Sequence, residues 1–386
     1  MHLKYLILLA SILAQAASAT PFVPKDDATV LERLPGRRDA PAMVELRQLR
    51  AALASRPDDA EAAAALAKRY FDLANAEGDP RYVGYAQAAI RRWQGADVPA
   101  EILYASGLLK QYRHDFEPAL GDFARALEKD PEHFGARAWR AAIFMVRADY
   151  AAAAKECSAL PGDPDELYAV GCRAYVEGTT GNARSAYARL LESLRAHPQE
   201  EPQIRLWVLT RLAEMAWRLD DPVAAERHFR EALELGLEDN FLLAAYADFL
   251  LERERPKEVL ALLKGWERSD TLLLRLALAE KRLGAREAGA HSQALGDRFA
   301  AAALRGERLH MGEEARYLLD LKREPKAALA VALDNWKEQR EPRDALVVLE
   351  AAAAAKDRTA AAPVLRWLDE SHFESSRMRR LAAGLK

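Results

Sequence analysis

The sequence predicts an all-α fold, a solenoid of stacked antiparallel helix pairs, and three observations lead there. From about residue 42 onward, helix-length apolar patterns alternate with short breaks such as Asp58-Asp59, Gly78-Asp79-Pro80 and Glu341-Pro342. No run alternates apolar and polar residues as a half-buried strand requires. Self-comparison then supplies a period. Phe116, Ala119, Phe123 and Ala126 return 34 positions later as Tyr150, Ala153, Cys157 and Leu160. Pro222, Ala225, Phe229 and Ala232 return after the same interval as Pro256, Val259, Leu263 and Trp266.

In chain order, residues 1–19 (MHLKYLILLASILAQAASA) place His2 and Lys4 before an apolar run from Tyr5 to Ala14 and end on Ala17-Ser18-Ala19. That is the pattern of a signal peptide cleaved after Ala19, and it predicts a periplasmic or secreted protein. The apolar run is well short of the roughly 20 residues of a membrane span. No cysteine follows the cleavage site, which argues against a lipid anchor. Residues 20–41, with Pro21, Pro24, Pro35, Gly36 and Pro41, read as an extended leader.

Residues 42–270 carry the repeats, with the clearest units at about 100–133, 134–166, 206–239 and 240–270. The unit at 60–98 has extra residues around Gly78, and the one at 167–203 is lengthened by Gly178-Thr179-Thr180-Gly181. Packing explains the pattern. A small residue lets the two helices of a pair approach, and a large apolar residue one turn later fills the space between pairs. Gly107 is the small contact position of its first helix, and Ala141, Ala213 and Ala247 hold the same place in theirs. One pair cannot bury its apolar face alone, so pairs stack; eight to ten are expected. Residues 271–372 keep fewer of these positions, chiefly Ala328, Ala332 and Ala362. Residues 373–386 read as a capping helix whose Arg377, Arg379 and Arg380 suit a solvent-facing end.

The chain has 386 residues, 56 Lys and Arg against 59 Asp and Glu, and 50% hydrophobic residues. A core can therefore form, and the balanced charge removes the footprint of a general nucleic-acid binder. In an oxidising compartment, Cys157 and Cys172 are close enough in sequence to pair across neighbouring helices; the alternative is two buried free thiols.

No Gly-rich phosphate loop, GxSxG elbow, HExxH or CxxC motif occurs. The eight histidines are scattered, with His114 in an inter-helix turn and His197 before Pro198, both expected at the surface. Glu313 and Glu314, with Arg316 nearby, read as a solvated helical face. No catalytic residue, metal site or cofactor is expected.

The set Leu103, Gly107, Phe116, Ala119, Phe123, Ala126 and Pro131 resembles the tetratricopeptide repeat, a 34-residue helix-turn-helix unit. The resemblance covers most of residues 42–370 and implies a right-handed superhelix, a tetratricopeptide-like α-solenoid, in an exported bacterial protein. It further implies that the first helix of each pair lines a concave groove binding a protein or peptide segment. By register that groove includes Tyr104, Leu108, Ala138 and Ala142, then Trp207, Thr210, Arg211, Glu214, Trp217 and Arg218, then Phe241 and Asp248. The alternative is that Trp207, Trp217 and Phe241 pack against adjacent helices. The lysines and asparagines with which some family members hold a C-terminal carboxylate are missing at these positions. The sequence thus points to a non-catalytic interaction scaffold in an envelope assembly, export or transport complex, with no nucleic acid and no membrane span. A glycan- or small-ligand-binding solenoid and a regulatory subunit of an envelope enzyme are the other readings.

Overall fold

The computed structural model describes residues 41–385. The expected signal peptide and all of the leader except its last residue lie outside the described residues. The chain divides into two compact units, Met1–Arg47 and Gln48–Lys386. Of the first, only the opening of helix α1 (Pro41–Ser55) is described. All that follows concerns the second.

That unit is an α-solenoid of antiparallel helix pairs, and no strand occurs among the described residues. The pairs are α2 (Ala60–Glu77) with α3 (Arg81–Ile90), α4 (Ala100–Tyr112) with α5 (Phe116–Lys129), and α6 (Phe134–Val146) with α7 (Tyr150–Ser158). Next come α8 (Leu167–Thr179) with α9 (Ala183–Ala196), α10 (Pro202–Arg218) with α11 (Pro222–Glu234), and α12 (Asn240–Glu252) with α13 (Pro256–Leu262). Then α14 (Asp270–Leu283) pairs with α15 (Ala288–Leu304). Helix α16 (Met311–Arg316) runs into a π-helical turn, Tyr317–Lys322, before α17 (Pro325–Asn335). Last are α18 (Pro342–Ala355) with α19 (Ala362–Ser371), and the closing helix α20 (Ser376–Leu385).

The repeat has a backbone signature that side-chain patterning does not announce. The turn inside each pair places one residue at positive φ: Gly78, His114, Ala148, Gly181, Asp220, Glu254, Gly284, Arg323 and Lys356. His114 to Ala148 and Asp220 to Glu254 are each 34 residues, matching the sequence period. Gly181 to Asp220 is longer because α10 runs 17 residues. Aspartates then start several second helices, with Asp149 accepting from the Ala152 amide at 3.1 Å and Asp221 from the Ala224 amide at 3.0 Å. Each such cap satisfies an amide that the helix itself leaves unpaired.

The core follows the predicted packing. Phe123 and Phe229 are fully buried, each worth about 1.5–3 kcal/mol relative to exposure. Gly107 faces Phe123 so closely that a Cβ there would lie 2.5 Å from the ring. Ala328 and Ala332 are buried as expected, but in the last pair the buried small residue is Ala361, and Ala362 is exposed. The extra turn of 3-10 helix at Thr359–Ala361 shifts the register there by one residue. Cys157 and Cys172 are joined by a disulfide that ties α7 to α8, with Cα atoms 5.5 Å apart.

The stack curls until distant pairs meet. Gly78, at φ 64°, packs against Asn240 and Ser269, the starts of α12 and α14; a Cβ at 78 would lie 2.7 Å from Asn240 Nδ2. No helix among the described residues is long and apolar enough to cross a membrane.

Candidate functional site

Side chains of the first helices α8, α10, α12 and α14, among them Tyr175, Arg211, Phe241 and Arg275, form one continuous face. The chain's own α16–α20 and the turns between them pack onto it. Gln339 Nε2 lies 2.9 Å from His114 Nδ1, and the Arg340 amide donates to the Val146 carbonyl at 2.7 Å. Trp367 Nε1 donates to the Tyr150 hydroxyl at 2.8 Å, and Glu374 accepts from the Ala183 amide. These partners sit in or beside the positive-φ turns of three consecutive pairs, so the C-terminal helices run along a row of equivalent edges.

At the centre, Arg211 is only 9% exposed. Its guanidinium lies 4.6 Å from the centroid of the Tyr175 ring and 4.5 Å from that of Phe241. Arg343, from α18, reaches the same Phe241 ring at 5.1 Å. Arg211 donates to Glu214 at 2.8 Å. Burial disfavours both charges; it dominates at Glu214, whose carboxyl is pushed above its ordinary range despite Arg211. At Arg211 the carboxylates of Glu214 and Glu341, with Tyr175, outweigh burial and keep the guanidinium cationic. Asp248 holds Arg275 at 2.7 Å, and Arg275 in turn lies 3.5 Å from Glu313 of α16. Arg218 donates to the Gly178 carbonyl at 2.6 Å and stands 4.6 Å over Phe373; burial lowers its pKa to about 10.

The remaining expected groove residues are held by their own neighbourhood. Tyr104 is buried against His133 and Phe123, with ring centroids 4.6 and 6.0 Å away, and burial pushes its phenol up. Trp207 stacks on Tyr168 at 5.0 Å and leaves no room for a Cβ at Gly171. Trp217 meets Phe249 edge-on at 5.6 Å and donates Nε1 to Glu252 at 3.1 Å. Leu108, Ala138 and Thr210 are buried. Trp207 and Trp217 are thus half-buried and engaged by neighbouring rings.

Three sequence expectations are corrected. Glu313 is not on a solvated face: it is 17% exposed, and Arg275 with His310 and Arg343 holds its carboxyl low against burial. Arg377 does not face solvent but pairs with Glu252 of α12 and Glu350 of α18. His114 is not free at the surface; it stacks on Phe116 and meets Gln339, and burial lowers its pKa to about 4. His197 turns back on its own helix, with Nδ1 2.8 Å from the Ser193 carbonyl. For Glu313, Arg377 and His114 a partner is remote in sequence, which local patterning does not encode. Arg275, Arg343, Trp367 and Phe373 were missed for the same reason. Among the described residues no three His, Cys, Asp or Glu side chains group as metal ligands.

No protein-family model matches the chain, and no curated protein does. Among solved structures, yeast Tom70 is similar over 84% of this chain and 61% of its own, at 17% identity and a TM-score of 0.42. The APC/C hetero-tetramer Cut9-Hcn1 is similar over 86% of this chain and 64% of its own, at 12% identity and a TM-score of 0.49. The TPR domain of P58(IPK) is similar over 89% and 92%, at 14% identity and a TM-score of 0.23. The chain spans less than two thirds of the first two structures. The fold assignment stands on the helix pairs themselves.

Proposed function

We propose that this chain is a non-catalytic interaction scaffold, exported to the periplasm, whose concave face holds a partner protein or extended segment. The observation that carries the reading is the chemistry with which that face already receives α16–α20. Guanidinium groups lie over aromatic rings at Phe241 and Phe373, and carboxylate–arginine pairs are set at depth at Asp248 and Glu313. Aromatic and arginine anchors within a desolvated surface are what strong protein interfaces use. A partner engages by taking the place of part of the C-terminal helices. The export pattern of residues 1–19 supports the periplasmic setting, in an envelope assembly, export or transport complex.

A triple variant at Trp207, Arg211 and Trp217 is a poor test, since all three side chains are packed. In-cell photo-crosslinking avoids the problem. A photoreactive residue replaces Ala142, a half-buried position of α6 in the expected groove, or Val223, 76% exposed on α11. One dominant envelope protein captured from position 142 and not from 223 is expected. Capture only from 223 would refute the groove, and no capture from either would refute the scaffold.

A further inference from the structure

Four guanidinium groups from separate elements converge on one cavity of about 420 Å³. They are Arg282 at the end of α14, Arg316 in α16, Arg323 after the π-helical turn, and Arg377 in α20. Asp320 and Glu350 are the carboxylates of the lining, so cations outnumber anions there. Leu319, Pro325 and Ala354 supply apolar wall, which strengthens charge interactions relative to open water.

Three of the arginines are already oriented. Arg316 donates to Asp320 at 2.8 Å and Glu350 at 3.2 Å. Arg377 spans Glu350 and Glu252, and Arg282 donates to the Leu251 carbonyl. Lys281 fixes the π-helical turn through the carbonyls of Asp320 and Leu321, at 2.9 and 2.8 Å. Arg323 differs. Its backbone amide donates to the Leu318 carbonyl as the cap of the π-helical turn, but its guanidinium is exposed and has no hydrogen bond or ion pair within the described residues. Its positive φ is the one shared by every turn inside a pair; what sets this turn apart is the π-helical segment Tyr317–Lys322 before it, a feature frequent at functional sites.

We propose that this cavity binds a small ligand carrying several oxyanion groups, phosphate or carboxylate, with Arg323 supplying the uncommitted charge. Guanidinium forks match both oxyanions through paired N–H donors. Arg316 and Arg377 are offset by Asp320, Glu350 and Glu252, so the charge left for an oxyanion ligand to offset is that of Arg323 and Arg282. At roughly 30 Å³ per water, the volume admits on the order of a dozen waters, more than a single phosphate fills.

The test is titration calorimetry of the mature protein with inorganic pyrophosphate and with citrate, at constant ionic strength. Saturable one-to-one binding of at least one anion is expected, and the preference between them assigns phosphate or carboxylate chemistry. Affinity should fall at least tenfold in Arg323→Gln and be lost in Ala354→Glu, which adds a carboxylate to the wall at an exposed position without breaking an ion pair. Arg305→Gln, which removes an exposed arginine paired with Glu307, should bind as wild type. No saturable binding of either anion, or equal binding by wild type and Arg323→Gln, would overturn the proposal.

Discussion

Gln339 Nε2 meets His114 Nδ1 at 2.9 Å across 225 residues of sequence, at the tip of the turn between α4 and α5. The contact places a titratable ring under the C-terminal helices. Burial, then His310 and Arg343, lowers the folded His114 pKa from 6.5 to about 4, against weaker raising by Glu313 and Glu341. Between those pH values the unfolded chain takes up a proton that the folded chain does not, so stability falls as pH falls from about 6.5 toward 4. One pKa unit is 1.36 kcal/mol, so the slope is on the order of 1 kcal/mol per pH unit. His114→Asn tolerates the positive φ and does not titrate. Chemical denaturation at pH 7 and pH 5 should show a smaller acid loss in the variant; equal losses would show that His114 is not the group responsible.

Gly107→Ala should destabilise by about 1–3 kcal/mol, because its Cβ would lie 2.5 Å from the fully buried Phe123 ring. An unchanged midpoint of thermal unfolding would contradict the helix approach described for α4 and α5.

Gly107 and Phe123 mark what the sequence makes legible. They lie within one unit, and their spacing repeats, so periodicity finds both the pair and its packing. The turn conformation is half-legible: Gly78, Gly181 and Gly284 announce positive φ, whereas His114, Ala148 and Glu254 adopt it without a local signal. Register assigns Arg211 and Asp248 to first helices, here α10 and α12, but gives no sign that Arg343 and Glu313, more than 60 residues away, would pack beside them. No periodicity reports that Arg377 will reach Glu252.

Glu254→Gly should stabilise by about 0.5–1 kcal/mol. Glu254 is exposed at φ 56°, a backbone state that glycine enters without a Cβ penalty. Urea unfolding measures it, and a lower midpoint in the variant would contradict the assigned turn.

The Cys157–Cys172 bridge closes a separation of 15 residues, which constrains the unfolded chain by about 3 kcal/mol. A Cys157→Ala, Cys172→Ala double variant should therefore melt earlier than the oxidised protein. Two reactive thiols in the denatured, unreduced wild type would refute the bridge.

The central claim is that the C-terminal helices occupy the concave face, and a pulsed-EPR distance measurement tests it most directly. Arg113→Cys and Glu338→Cys place spin labels at exposed positions flanking the His114–Gln339 contact, while the native cysteines are paired and take no label. A single narrow, short-distance population is expected. A broad distribution at long distance would mean that the face stands open and that the contacts of Gln339, Trp367 and Arg377 do not form.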